Sequence, residues 1–197
     1  MSRAAAIVLA AGAGSRFGGQ KLLAELNGTP ILQYVLNIAA TAELDPVVIV
    51  LGVDSEALVT RLWWRDEVRL VNPTPEAGLS SSVRMGLAAL ELSDAERVVV
   101  LLGDQPRLSA TQLDTILTAP QGAARPFVVP RYAGVPGNPV LLERAAWPLA
   151  AQLTGDAGMA QLFAASPELV RYVDVDGTNP DIDTRRDLAD LGSAPQS

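Results

Sequence analysis

The residues best suited to chemistry lie near the start of the chain, in Ala10-Ala11-Gly12-Ala13-Gly14-Ser15-Arg16-Phe17-Gly18-Gly19-Gln20-Lys21, directly after a short apolar run. Glycines at such a point let backbone N–H groups approach a phosphate closely. Arg16 adds a fork that grips phosphate oxygens in pairs, and Lys21 a compact point charge. Lys21 is the sole lysine; the other 14 basic residues are arginine. Two familiar phosphate-binding patterns fail on spacing. G-x-G-x-x-G after Gly12 and Gly14 needs glycine where Phe17 stands, and G-x-x-x-x-G-K-[ST] fails because Gln20 follows Gly19 and Leu22 follows Lys21. The reading without ligand chemistry is a glycine-rich turn with two solvated cations. Two carboxylates stand out. Asp104 closes the apolar run Val98–Leu102, where it suits a hard cation beside a triphosphate or, alternatively, a loop or helix cap. Asp183 precedes Thr184-Arg185-Arg186-Asp187 and suits either the same cation or the cap of a last helix. Ser80-Ser81-Ser82 open a helical pattern, where one hydroxyl serves as N-cap and the others are spare for a ligand.

Composition removes competing chemistries. The 197 residues include no cysteine and no histidine, so thiolate catalysis, disulfides, Ser-His-Asp triads and His- or Cys-ligated metals are excluded. Any metal is held by oxygen, which points to Mg²⁺ or a similar hard cation. A net charge of −7 argues against nucleic-acid and anionic-membrane binding. No apolar run approaches the roughly 18 residues that span a bilayer. Arg3 and the following alanines only faintly resemble a signal peptide, because the apolar part is short and runs into the glycine-rich loop.

The elements that must position these residues alternate between strand and helix. Ala5–Leu9, Val47–Leu51, Val68–Val71 and Arg97–Leu102 read as strands covered on both faces, followed by Phe127–Val129 and Val170–Val175. Helical spacing covers Pro30–Ala40 with Thr29 as N-cap, Ser55–Trp63, Ser80–Leu92, Ser109–Leu117 capped by Ser109, Ala145–Leu153, Ala157–Ala165 and Thr184–Leu191. Arg131–Pro139 reads as a loop. The expectation is one α/β domain over residues 1–191: a Rossmann-like three-layer α/β/α sandwich with a mostly parallel sheet, followed by a loose tail over 192–197.

The segment Leu9–Lys21, L-A-A-G-x-G-x-R-F-G-x-x-K, resembles the signature of the MobA-like nucleotidyltransferases, and more narrowly that of the molybdenum-cofactor cytidylyltransferases. Gly78–Gly86, Leu102-Gly103-Asp104-Gln105-Pro106, Gly137-Asn138-Pro139 and Asp181-Ile182-Asp183-Thr184 are similar to further motifs of that family, in order along nearly the whole chain. The resemblance implies a fold of the nucleotide-diphospho-sugar transferase type. It also implies transfer of CMP from CTP to the phosphate of molybdopterin, with release of pyrophosphate. Asp104 and Asp183 would share one Mg²⁺. Lys21 would stabilise the α-phosphate, and Arg16 with loop N–H groups would hold the leaving phosphates. Leu9, Ala10, Ala11, Gly12, Gly14, Asn72, Gly78 and Ser80 would line the nucleotide site, and Gly137, Asn138 and Pro139 the acceptor site.

Asn138 stands where many such cytidylyltransferases have histidine, so the acceptor is the least constrained part of the reading. Ala10-Ala11-Gly12 favours CTP, since guanylyltransferase relatives tend to have Ala-Gly-Gly there. The expected location is cytoplasmic, with a molybdoenzyme or its chaperone as a further partner. The rivals are guanylyl transfer, transfer to another phosphorylated acceptor, a nicotinamide-dependent oxidoreductase on the same fold, and a maturation factor with little turnover.

Overall fold

The computed structural model describes residues 4–12, 14–156 and 158–193. The strands are β1 (Ala4–Ala10), β2 (Glu25–Leu26), β3 (Thr29–Pro30), β4 (Val47–Leu51), β5 (Val68–Val71), β6 (Arg97–Leu102), β7 (Phe127–Tyr132), β8 (Val135–Pro136), β9 (Val140–Glu143) and β10 (Val170–Val175). The helices are α1 (Ile31–Thr41), α2 (Glu56–Arg61), α3 (Leu79–Leu90), α4 (Ala110–Leu117), α5 (Trp147–Ala150), α6 (Gly158–Ala165) and α7 (Arg185–Ser193).

One sheet runs in the order β10-β7-β9-β6-β1-β4-β5, with β8 folded onto β7. β1 lies parallel to both β4 and β6, β4 to β5, and β7 to β10; β9 is antiparallel to β6 and β7. The alternation of residues along β1 splits the core in two. Ala6, Val8 and Ala10 face α1 and α4, where they meet Val35, Leu36, Leu113 and Ile116. Ala5, Ile7 and Leu9 face α3 and α5, where they meet Val83, Leu87 and Trp147. Both faces are therefore covered, which is why the central strands are apolar throughout. This is the three-layer α/β/α architecture expected.

The chain passes from β1 to β4 and β5 on one side, then crosses back to β6 on the other. A crevice opens outside the carboxyl ends of the strands at such a reversal. Leu9 pairs with Leu102 at this point, so the loops after β1 and β6 leave the sheet side by side. Gly103 makes that possible: its N–H donates to the Leu9 carbonyl at 2.9 Å, and a Cβ there would lie 3.0 Å from the same oxygen.

Several boundaries differ from the sequence reading. Thr29 pairs with Leu26 in a small hairpin, so Pro30 and not Thr29 occupies the N-cap of α1. Helix α2 ends at Arg61, because the chain turns there to bury Leu62. Ala145–Leu153 is a tight turn, Arg144–Ala146, leading into the single turn of α5 around Pro148. β7 extends to Tyr132 and hairpins through Ala133-Gly134 into β8, so half of Arg131–Pro139 is sheet rather than loop. Gly192 and Ser193 close α7 rather than begin a tail; residues 194–197 and Arg3 lie outside the described residues. Ser109 caps α4 as expected, in a reciprocal box with Gln112. Among the described residues, no helix is long and apolar enough to cross a membrane.

Candidate functional site

The loop after β1 is tied down at both ends. Phe17 is buried with Ile31 and Ile182, and Leu22 and Leu23 enter the main core. Burial of the two leucines turns Lys21 inward, leaving its side chain 12% exposed. Its Nζ donates to Asp104 Oδ2 at 2.6 Å and to Asp183 Oδ1 at 3.5 Å. Arg16 reaches the other oxygen of Asp183 at 3.0 Å from an exposed position. Four residues spread over 167 positions of sequence thus form one charged cluster at the crevice. The exposed Arg16–Asp183 pair is worth at most about 1 kcal/mol, so Arg16 is easily released to a phosphate.

Two backbone features bring Asp183 there. The Ile182 N–H donates to the Asp104 carbonyl at 3.1 Å, and the Ile182 side chain seals against Phe17. Asp183 does not cap α7. Thr184 does, with its hydroxyl accepting from the Asp187 N–H at 3.2 Å, while Asp187 Oδ2 accepts from Thr184 N–H at 2.7 Å and Asp183 N–H at 3.0 Å. Those bonds hold the Asp187 carboxyl below the usual carboxylate range. The Asp183 carboxylate is left to the cations.

Asp181 joins the same cleft, a residue the sequence reading passed over within its own Asp-Ile-Asp motif. Loss of solvation and then the neighbouring Asp104 push its carboxyl upward, although Gln105 Nε2 donates to it at 2.7 Å. Gln105 also exchanges hydrogen bonds with Asn179, whose amide reaches the Asn138 carbonyl at 3.2 Å. Tyr132 donates to that carbonyl at 2.8 Å; burial, only partly opposed by Asn179, pushes its phenol up to about 12, so it remains a neutral donor. This network links the loop carrying Asp104 to the one carrying Asn138.

Leu9, Ala10, Ala11, Gly12, Lys21, Gly78 and Asp104 line one cavity of about 220 Å³, with Asp181 and Ser82 among its other walls. The loop's other side borders a hollow of about 310 Å³ toward Gly52–Ser55. A second cavity of about 210 Å³ shares the walls Leu9, Leu79, Leu102 and Asp156 with the first and is lined by Gly137 and Asn138. Pro139 is buried and does not line it.

Three expected contacts are placed elsewhere. Gly14 accepts from Phe17 N–H at 3.0 Å at the base of the loop and lines none of the three spaces. Ser80 faces the second cavity, not the one beside the glycine-rich loop, and α3 is capped by Gly78 without a serine hydroxyl. Asn72, 2% exposed, turns inward: its amide donates to Ser81 and Ser82 at 2.8 and 2.9 Å and its oxygen accepts from Thr74 N–H at 3.0 Å. With its amide hydrogens and oxygen so engaged, it braces α3 rather than reading a base. Asn72→Ala should therefore cost about 2–3 kcal/mol of stability in urea unfolding, with the nucleotide affinity of the folded fraction unchanged. A large affinity loss at full stability would restore the contact role.

The donor set suits a hard divalent cation. Asp104 and Asp183 share the Lys21 ammonium and Asp181 lies in the same cleft, all offering oxygen alone. Among the described residues, no group of three or more carboxylates converges tightly enough to enclose a metal. The fit is to an ion that keeps several waters and takes one or two carboxylates plus substrate oxygens, as Mg²⁺ does.

Comparison with known proteins agrees with the fold. The MobA-like NTP transferase domain matches residues 6–171. The chain belongs to that family. Nicotine blue oxidoreductase of Paenarthrobacter nicotinovorans is 30% identical over 90% of this chain and 91% of its own length. A probable molybdenum cofactor guanylyltransferase of Thermococcus gammatolerans is 32% identical over 64% of this chain and 61% of its own. The crystal structure of Rv0371c from Mycobacterium tuberculosis H37Rv superposes with a TM-score of 0.86 at 30% identity, covering 98% of this chain and 99% of that one. A complex of the same protein with manganese gives 0.83 at 29% identity, covering 98% and 100%.

Proposed function

We propose that this chain is a Mg²⁺-dependent nucleotidyltransferase that moves CMP from CTP to the phosphate of a molybdopterin-type acceptor. The convergence of Lys21 with Asp104 and Asp183 over the cavity of the glycine-rich loop carries the reading. An anionic phosphate oxygen of the acceptor attacks the α-phosphorus. The new P–O bond forms as the bond to the bridging oxygen breaks, and pyrophosphate leaves with that electron pair. The nucleophile carries no proton, so the step needs no protein base. That suits a chain without histidine or cysteine.

Mg²⁺, when bound, would neutralise charge on the triphosphate. Asp104 and Asp183 are the residues to hold it; Asp181 adds negative potential beside them. Lys21 stabilises charge building at the α-phosphate, and Arg16, freed from Asp183, steadies the departing phosphates. Leu9, Ala10, Ala11, Gly12 and Gly78 frame the nucleoside, with the Ala11 side chain narrowing the base pocket. Gly137 and Asn138 meet the acceptor.

Guanylyl transfer is a second reading, favoured by the name of the Thermococcus relative. A redox reading is favoured by that of the Paenarthrobacter one. Thermal stabilisation by CTP, GTP, ATP and NADH, each with and without Mg²⁺, separates the three. A ligand at 100 times its dissociation constant adds about 2.7 kcal/mol to the native state. The expected result is a Mg²⁺-dependent rise with CTP. A rise with GTP alone moves the base assignment, and a rise with NADH alone overturns the transferase reading.

A further inference from the structure

We propose that two copies of this chain pair through the open edge of the sheet, β5 against β5 of the partner, antiparallel about a two-fold axis at Val68. Nothing in this inference depends on the transferase reading.

β5 ends the sheet, with β4 on one side and no strand on the other. The Asn72 N–H donates to the Leu51 carbonyl at 2.8 Å, so the backbones of Asn72, Leu70 and Val68 point at β4. Backbone groups alternate in direction along a strand, so those of Val71 and Arg69 point out of the sheet, and one step further back so does that of Glu67. An open edge of this kind is a template for a second strand. Its surroundings are apolar. Five of the ten large apolar side chains exposed among the described residues are Val53, Val59, Trp63, Val68 and Val71. Trp63 is 76% exposed, yet its backbone is fixed: the buried Gln33 accepts from its N–H at 2.9 Å and donates to its carbonyl at 3.3 Å. The Arg69 guanidinium lies 5.1 Å from the centre of the Trp64 ring, which brings the neighbouring Trp63 to this same edge. An exposed tryptophan on an anchored backbone, beside an open strand, offers a partner contact area without ordering cost.

Charge chooses the occupant. Val68 and Leu70 pair with Val48 and Val50 on the α3 face, so Arg69 lies on the other face, and by the same alternation Glu67 lies with it. Neither has an ion-pair partner among the described residues. Glu67 Oε2 accepts from the Arg65 N–H at 2.6 Å, which holds the carboxylate at the head of the strand. An antiparallel partner must set outward backbone against outward backbone. Pairing centred on Arg69 opposes two arginines, and pairing centred on Glu67 opposes two glutamates. Centring on Leu70 or Val71 brings Pro73, which has no N–H, into the ladder. Centring on Val68 sets Glu67 against Arg69 of the partner subunit on both sides of the axis. The edge is thus complementary to itself, and a second copy is the partner it fits.

The chain has no cysteine, so one introduced thiol reads the register. A facing pair without backbone hydrogen bonds brings its Cα atoms to about 4.5 Å, within disulfide reach. Val68→Cys should therefore cross-link to a dimer under mild oxidation. Val71→Cys should not, since its two copies would lie about 20 Å apart along the edge. Sedimentation equilibrium of the full chain should show a dimer. Arg69→Glu and Glu67→Arg should each weaken it by about tenfold or more, and the two together should restore it. Circular dichroism and urea unfolding check that each variant is folded. A monomer at every concentration overturns the inference and leaves the edge to a different protein. Growth beyond a dimer overturns it too, as does a dimer that ignores the single charge reversals or is not restored by the double exchange. Cross-linking of Val71→Cys as readily as Val68→Cys overturns the register.

Discussion

Asp104→Ala should abolish Mg²⁺-dependent transfer while leaving a folded protein. Asp104 sits where β6 meets the crevice and accepts the shortest bond in the cluster, 2.6 Å from Lys21. Its removal has two separable consequences. On the proposed reading the divalent ion would lose one of its two protein carboxylates, and charge neutralisation at the triphosphate would fall with it; groups of this kind contribute factors of about 10²–10³ or more to turnover. Lys21 meanwhile loses its nearer partner but keeps Asp183, so the stability cost should be moderate, about 1–3 kcal/mol. Circular dichroism and urea unfolding check the fold, and pyrophosphate release at saturating nucleotide checks the chemistry. Titration with Mn²⁺ followed by water-proton relaxation reads the metal site directly, and its binding should weaken strongly. Full activity in this variant would make the metal assignment wrong, whatever else the cluster does.

Much of this site was legible in the sequence because it lies on strand ends. β1, β4 and β6 are unbroken apolar runs, and whatever follows such a run in an α/β fold lies at the ligand-bearing edge. The glycine-rich loop and Asp104 could be placed on that ground alone. The rest depended on contacts far apart in sequence. Nothing local shows that Asn72 turns toward serines nine and ten residues on. β9 is four residues long and antiparallel, and the sequence reading assigns no element there; its pairing with β6 and β7 is what makes it a strand. Asp183 was open between ligand and cap, yet the deciding signal was present: Thr184-Arg185-Arg186-Asp187 is itself a capping pattern and leaves the preceding aspartate free. Asp181 also carried a signal, since one apolar residue between two aspartates anchors both when it is buried. Ile182 is 1% exposed, and its contact with Phe17 ties the acidic motif to the loop after β1.

Lys21→Ala is the second substitution with a large expected effect, and it tests whether the only lysine of the chain is there for chemistry. In the absence of substrate its ammonium lies between two carboxylates, 2.6 and 3.5 Å away. A purely structural ion pair would show itself mainly in stability. A group that stabilises the α-phosphate shows itself in kcat, because that oxygen gains negative charge as the reaction proceeds and the nucleotide's ground state needs the lysine less. The expected loss is about 10²–10³ in kcat, equivalent to about 2.7–4 kcal/mol, with a smaller change in nucleotide affinity. Lys21→Arg should not restore the rate. The side chain is 12% exposed and hemmed by Asp104, so a planar fork cannot put its charge where the compact ammonium sits. Added Mg²⁺ should also fail to rescue the alanine variant, since on the proposed reading the carboxylates, and not the lysine, would hold the metal. Steady-state kinetics with nucleotide affinity measured in parallel distinguishes the roles. Unchanged kcat with lowered stability would reduce Lys21 to a counter-ion for Asp104 and Asp183.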